Sequence, residues 1–245
     1  MHPLNRPTMP AQRGFTLAEL AIVLLILAIL AAALLVPFSA RLAAQQRDHT
    51  TALLDDIRAA LIGHAIAYGR LPCPGTRRNP ADPRYGEEEI DAATGLCEVD
   101  TEGMLPWRTL GLPPIDAWGL PRSAESDPWS GHFRYRVDRA FASTMPGFRI
   151  RADTVYADQI KLIDHDGNPI TVSSYSGTEV LKNTLAVALV YSTGPDLTPN
   201  GANANYEGVS DATYEDGEPT TTFDDMVVWI GRPLLLARMA QAGAL

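Results

Sequence analysis

The stretch "RGFTLAELAIVLLILAILAAALLVPF", Arg13–Phe38, decides how this chain is read. From Leu20 to Val36 no side chain is charged or strongly polar, yet Glu19 stands at the edge of the run. As a helix, residues 15–38 would extend roughly 36 Å, enough to cross a hydrocarbon core of about 30 Å. A core helix of this length that is apolar all round is uncommon. A secretory signal would have a shorter apolar region closed by a small-residue cleavage site, and no clear site of that kind precedes Pro37. The expectation is a transmembrane helix over 15–38. Arg6 and Arg13 mark the short leading side as cytoplasmic, and the bulk of the chain lies across the membrane.

An ionised carboxylate is costly in hydrocarbon and needs a partner. No Lys or Arg lies one turn from Glu19 inside the run. Cutting the chain after Gly14 would create a positive group, the amine of Phe15. Glu19 is four residues on and shares its helix face. It could also meet the amine of a neighbouring subunit.

"RGFTLAEL" resembles the type III signal of prepilins and pseudopilins: a short basic leader, Gly before the cut, Phe first, Glu fifth. The resemblance implies that prepilin peptidase cleaves between Gly14 and Phe15, releasing a 1–14 leader, and that Phe15 is N-methylated. It gives Glu19 the charge that matches a neighbour's N-terminus during assembly. The implied partners are other pilin or pseudopilin subunits, the peptidase and an inner-membrane assembly platform. The implied location is the bacterial inner membrane, single-pass, with the N-terminus cytoplasmic and the C-terminal domain periplasmic, and then a fibre. The implied fold is α+β and pilin-like: a long N-terminal helix on a mainly antiparallel sheet with long loops.

The remainder of the 245 residues suits one domain, 71–245, behind an anchor. A formal net charge of −9 argues against a nucleic-acid partner, which would want a basic face. No metal-ligand cluster, phosphate-binding Gly loop or nucleophile motif is apparent, so a structural subunit is expected rather than an enzyme. A membrane-anchored binding module is the other reading.

Residues 39–70 are amphipathic, with Leu42, Leu53, Ile57, Leu61 and Tyr68 on one stripe. Pro37 should loosen the helix between its halves. His49 and His64 fall on this helix without a second ligand one turn on, and are expected to be solvated or packed. The helix should stop near Gly69. Outside the cytoplasm Cys73 and Cys97 can pair; free thiols are the alternative, because two cysteines are too few for a zinc site and no CxxC occurs. Trp107, Trp118 and Trp129 are expected to bury their rings. "DPWSGHFRYRV" resembles the pseudopilin stretch that leads into the first sheet strand, with Ser130 and His132 departing from it.

Strands are expected at 132–137, 147–153, 158–164, 169–174, 185–192 and 224–230, with a hairpin turn at Asp164–Pro169. A polar loop spans 193–222, and the tail from Pro233 reads as a short helix. The frame "STGPD … DDMVVW" resembles the calcium loop and last strand of major pseudopilins, with Leu197 in place of a Gly. The resemblance makes Asp196, Asn200, Asp224 and Asp225 candidate calcium ligands; the alternative is a solvated loop.

Overall fold

Helix α1, Leu17–Tyr68, opens the computed structural model, which describes residues 16–77, 79–99, 102–119, 132–171, 184–205 and 212–245. The side chains of 31–39 and 205 lie outside that description. The chain divides into two units, 1–45 and 46–245, so the C-terminal part of α1 belongs to the second.

In the first unit α1 is apolar on every side from Leu20 to Leu30. Leu20, Ile22, Leu24, Leu27 and Ile29 are each more than half exposed. Among the described residues no helix is long and apolar enough to cross a membrane. The span expected over 15–38 reaches beyond the residues whose side chains are described. Within it, the described apolar side chains run from Leu17 to Leu30, fewer than the about 20 residues a span needs.

In the second unit α1 buries Thr50, Leu54, Ile57, Leu61 and Ala65, a stripe whose steps of three and four keep to one helix face. Each fully buried Leu or Ile contributes about 1.5–3 kcal/mol. The expected stripe is corrected at three places. Leu54 is the buried residue, with Leu53 partly buried against the same core. Tyr68 is 66% exposed and rests on the His64 ring, centroids 4.5 Å apart. Leu42 is exposed and sits in the other unit. The helix ends at Gly69, whose φ of 74° lets its amide return to the Ala65 carbonyl at 2.8 Å.

Strands β1 (Gly103–Met104), β2 (Arg134–Val137), β4 (Ala186–Ser192) and β6 (Met226–Gly231) form an antiparallel sheet in the order β1-β2-β4-β6. Strands β3 (Lys161–Ile163) and β5 (Thr213–Glu215) pair in parallel as a second sheet. Helix α2 (Trp107–Leu110) precedes β2, and α3 (Arg232–Gln241) follows β6 directly, with Pro233 in its first turn. On one face of the main sheet Tyr135, Val137, Val187 and Val190 meet Ile57 and Leu61. On the other, Leu189 and Tyr191 meet Ile160, Leu162 and Tyr214. Covered on both faces, β4 is buried at all seven positions, which is why "AVALVYS" is a continuous apolar run.

The two-sheet arrangement on a long helix is the expected α+β class. One strand expectation fails, and a second is only partly described. Residues 147–153 form no strand: the Ile150 amide bonds to the Gly69 carbonyl at 2.8 Å and the next residues turn, so the apolar alternation reflects only the burial of Ile150 under the helix end. Of 169–174, Pro169 makes one bridge to Ile163, Ile170 and Thr171 donate to the Leu162 carbonyl, and the rest lies outside the described residues. The Asp164–Pro169 turn forms as expected. The Asp164 carboxylate accepts from the amides of Asp166 at 3.0 Å and Asn168 at 2.8 Å.

Candidate functional site

Two places carry the functional candidates: the head of α1 and the polar loop over the second face of the sheet. Gly14 and Phe15 lie outside the described residues. Glu19 does not, and its carboxylate is tied to Thr16. The Thr16 amide and hydroxyl both donate to Glu19 Oε2 at 2.9 Å, and the Glu19 amide donates back to Thr16 Oγ1 at 3.2 Å. This is a reciprocal capping box, and it holds the carboxylate over the positive end of the helix. The spacing T-x-x-E before an apolar run was available in the sequence as its signal.

The loop brings all four candidate calcium ligands together through their own hydrogen bonds. Asp224 accepts from the Asp196 amide at 3.2 Å. Asp225 accepts from the Asn200 amide and from Asn203 Nδ2, each at 2.9 Å. Asn200 Oδ1 accepts from the Asp224 amide at 2.9 Å, and Asp196 Oδ1 from the Thr198 amide at 2.7 Å. The chain enters this knot at Gly194, where a Cβ would lie 2.5 Å from the Asp224 carbonyl. Leu197, which stands where the resembled loop has Gly, still adopts a φ of 60°.

Calcium takes six to eight oxygens. Asp224 Oδ1 and Asp225 Oδ1 are the buried carboxylate oxygens of this set without a hydrogen-bond partner. Among the described residues no group of three or more His, Cys, Asp or Glu is placed to hold a metal ion. The other acceptors named here are bonded within the loop itself. Burial pushes Asp225 up to about 7, against the bonds from Asn200 and Asn203, with Asp224 and Asp196 adding like charge.

Beneath the loop lies a network that sequence reasoning missed. Glu102 is 2% exposed. Its carboxylate accepts from the hydroxyl of Tyr191 at 2.8 Å and from that of Tyr214 at 3.0 Å. Arg134 and Arg136, both buried, bring positive charge toward it, and Arg136 Nη1 donates to Tyr214 Oη at 3.4 Å. Burial outweighs these groups and pushes Glu102 up to about 7. Asn203 links the network to the loop. Its Oδ1 accepts from the Glu215 amide at 2.8 Å, and its carbonyl accepts weakly from Tyr191 at 3.4 Å. The alternation in "RYRV" reads as two arginines on a solvated face. The only sequence signal against that was the apolar run of β4, which implies a cover on both faces.

The remaining expectations resolve structurally. Cys73 and Cys97 are bonded, with Cα atoms 5.3 Å apart. Beside them Arg70 grips Glu88 through two bonds of 2.7 Å, and the Cys73 amide donates to Glu88 at 3.0 Å. Burial alone would raise Glu88, but these bonds hold it below the ordinary range. His64 is packed, with its Nδ1 3.0 Å from the Arg70 carbonyl, and burial lowers its pKa. Trp107 is buried and stacks on His132, centroids 5.1 Å apart. Trp118 is half-buried, and Trp129 lies outside the described residues.

Residues 9–35 match the family described as prokaryotic N-terminal methylation motif, the type IV prepilin-like signal of pilins and pseudopilins. No curated protein and no solved structure matches the chain.

Proposed function

We propose that this chain, which carries the type IV prepilin-like signal, is a structural subunit of a type II secretion pseudopilus or type IV pilus, in the role of a minor pseudopilin or minor pilin. Prepilin peptidase removes residues 1–14 by cutting between Gly14 and Phe15, and Phe15 is N-methylated. Residues 15–38 anchor the precursor in the inner membrane as a single pass, with residues 39–70 continuing the stem and 71–245 in the periplasm. The subunit enters its fibre through the assembly platform by packing this helix against those of other subunits.

The observation that carries the reading is the methylation motif over residues 9–35. Two features support it. The described part of the first unit exposes apolar side chains on every side, and such a helix is stable only among lipid tails or other apolar helices. Glu19 is fixed at the head of that helix, where a new amine at Phe15 would balance its charge. The chain's length and the scarcity of motifs beyond the anchor favour a minor subunit.

Mass spectrometry of the protein extracted from membranes tests the processing step. The expected mature chain starts at Phe15 and carries one methyl group, and a mature chain still starting at Met1 refutes it. Glu19→Gln tests assembly separately: processing persists and recovery in sheared fibres falls at least tenfold. Unchanged recovery refutes the assigned role of Glu19.

A further inference from the structure

The sheet ends at β6 on one side. Among the described residues no strand pairs with its outer edge. Natural edge strands are kept short, charged, proline-bearing or covered, because unpaired amides and carbonyls recruit other strands. This edge is six residues, "MVVWIG", with no charge and no proline. The opposite edge, β1, has only two residues.

A groove of about 520 Å³ straddles the β6 edge. Val227, Val228 and Trp229 of β6 line it together with Arg58, Asp216 and Leu234. A second cavity of about 310 Å³ shares Arg58, Asp216, Val227 and Val228 and carries the trough on toward Asp225. Cavities that bracket the rim of a strand leave room for a backbone beside it. The six residues of β6 correspond to roughly 20 Å of extended chain.

The charges choose the occupant. Arg58 already pairs with Asp55 at 2.8 Å. Asp216 is half-buried and forms no ion pair among the described residues. Burial raises its pKa, the nearby His165 opposes that rise, and Glu218 adds like charge. A second copy presenting the same edge would bring another chain of net charge −9 against a groove that holds Asp216.

We propose that the β6 edge is a docking site for an extended, basic polypeptide segment of another protein, which adds to the sheet as a further strand and sets a Lys or Arg side chain against Asp216. Main-chain bonds to β6 would supply affinity, and the alternating contacts with Val227 and Trp229 would select apolar side chains. This inference stands on the globular unit and is independent of how the N-terminal helix is used.

Hydrogen exchange of the full chain in detergent micelles tests it. The probe is a synthetic six-residue peptide alternating valine and threonine, with one lysine. Without peptide, the outward amides of 226–231 should exchange freely; with it, they should slow at least tenfold. Two control peptides, N-methylated at alternate amides in the two possible phases, should differ, one binding and the other not. Replacing the lysine by glutamine should weaken binding about fivefold or more to the natural chain and leave binding to Asp216→Asn unchanged. That variant should melt at or above the natural temperature, since it removes a desolvated charge. The proposal fails if millimolar peptide gives no protection, or if both N-methylated peptides bind as well as the parent. It also fails if the edge is already protected without peptide, or if protection rises with protein concentration alone.

Discussion

The described head of α1 and the globular unit treat polar and apolar surface in opposite ways. From Leu17 to Leu30 the helix turns its apolar side chains outward and ties its one carboxylate into a cap. The unit from 46 to 245 takes Glu102, Arg134, Arg136 and Asp225 out of water, and its own hydroxyls and amides bind Glu102, Arg136 and Asp225. The first is an element whose stability must come from its surroundings. The second is nearly closed on itself. Each prediction below tests that contrast.

The largest effect should come from truncating the same residue type in the two places. Leu61 is fully buried between α1 and the sheet, so Leu61→Ala should cost the globular unit about 4 kcal/mol in denaturant unfolding. Leu24→Ala should leave that transition where it was. If both variants shift it, the two units are energetically one and the contrast fails. The disulfide should rank next. Its sequence separation of 24 implies about 3.5 kcal/mol by loop-closure entropy, read as the difference between the natural chain and Cys73→Ser/Cys97→Ser. Equal stability would place the constraint on a segment that is ordered even when the globular unit is unfolded.

The buried network predicts a pH dependence of known sign. Glu102 is pushed up to about 7 in the folded chain, above its ordinary 4.5. Below about 4.5 the group is protonated in both states and has no effect. Between about 4.5 and 7 the unfolded chain ionises first, so stability falls, and above about 7 the full penalty is present. Asp225, also at about 7, acts in the same sense. The melting temperature should therefore decline from pH 5 to pH 8, and Glu102→Gln should flatten the decline. A variant whose slope matches the natural chain would show that Glu102 is ionised throughout.

The contrast also explains what could be read from the sequence. The apolar head of α1 was legible because a long apolar run and an acid at its edge need no tertiary context, and Glu19 carries its capping partner three residues away. Helix α1, β2, β4, β6, the Asp164 turn and α3 were legible from periodicity and turn chemistry. The 147–153 segment was not, because alternation records burial of Ile150 and says nothing about where the backbone bonds go. The Glu102 network was illegible because its members are far apart in sequence and each alone reads as a surface charge. Only the covering of the sheet by β3 and β5 makes them interior. The loop residues were recognised, but their bonding to one another was not, since Asn203 in "NGANAN" carries no visible mark of the strand-like bonds it makes to Glu215.

A smaller effect is expected at His165. Its Nδ1 faces Glu215 Oε1 and its Nε2 faces the Glu218 carbonyl, each at 2.8 Å. Both partners are acceptors, so only the imidazolium satisfies both, and the carboxylate bond raises the pKa above 6.5. The contribution is full below 6.5 and disappears as pH rises through the raised value. Amide exchange in 215–218 should quicken over that range in the natural chain and be pH-independent, beyond intrinsic chemistry, in His165→Gln. Unchanged behaviour in the variant would remove this link from the self-contained set.

The smallest effect should be that of calcium chelation, and it bears most directly on whether the globular unit is closed. An ion-dependent loop would hold carboxylates turned toward a common centre with their bonding capacity unspent. Here Asn200 Oδ1, Asp196 Oδ1 and both acceptor positions on Asp225 Oδ2 already receive protein donors, which leaves Asp224 Oδ1 and Asp225 Oδ1 against the six to eight oxygens that calcium requires. A chelator should therefore leave the thermal midpoint unchanged, and added millimolar calcium should not raise it. A calcium-dependent rise would mean that this loop, like the apolar helix, is completed from outside, and the difference between the two regions would then be one of partner rather than of kind.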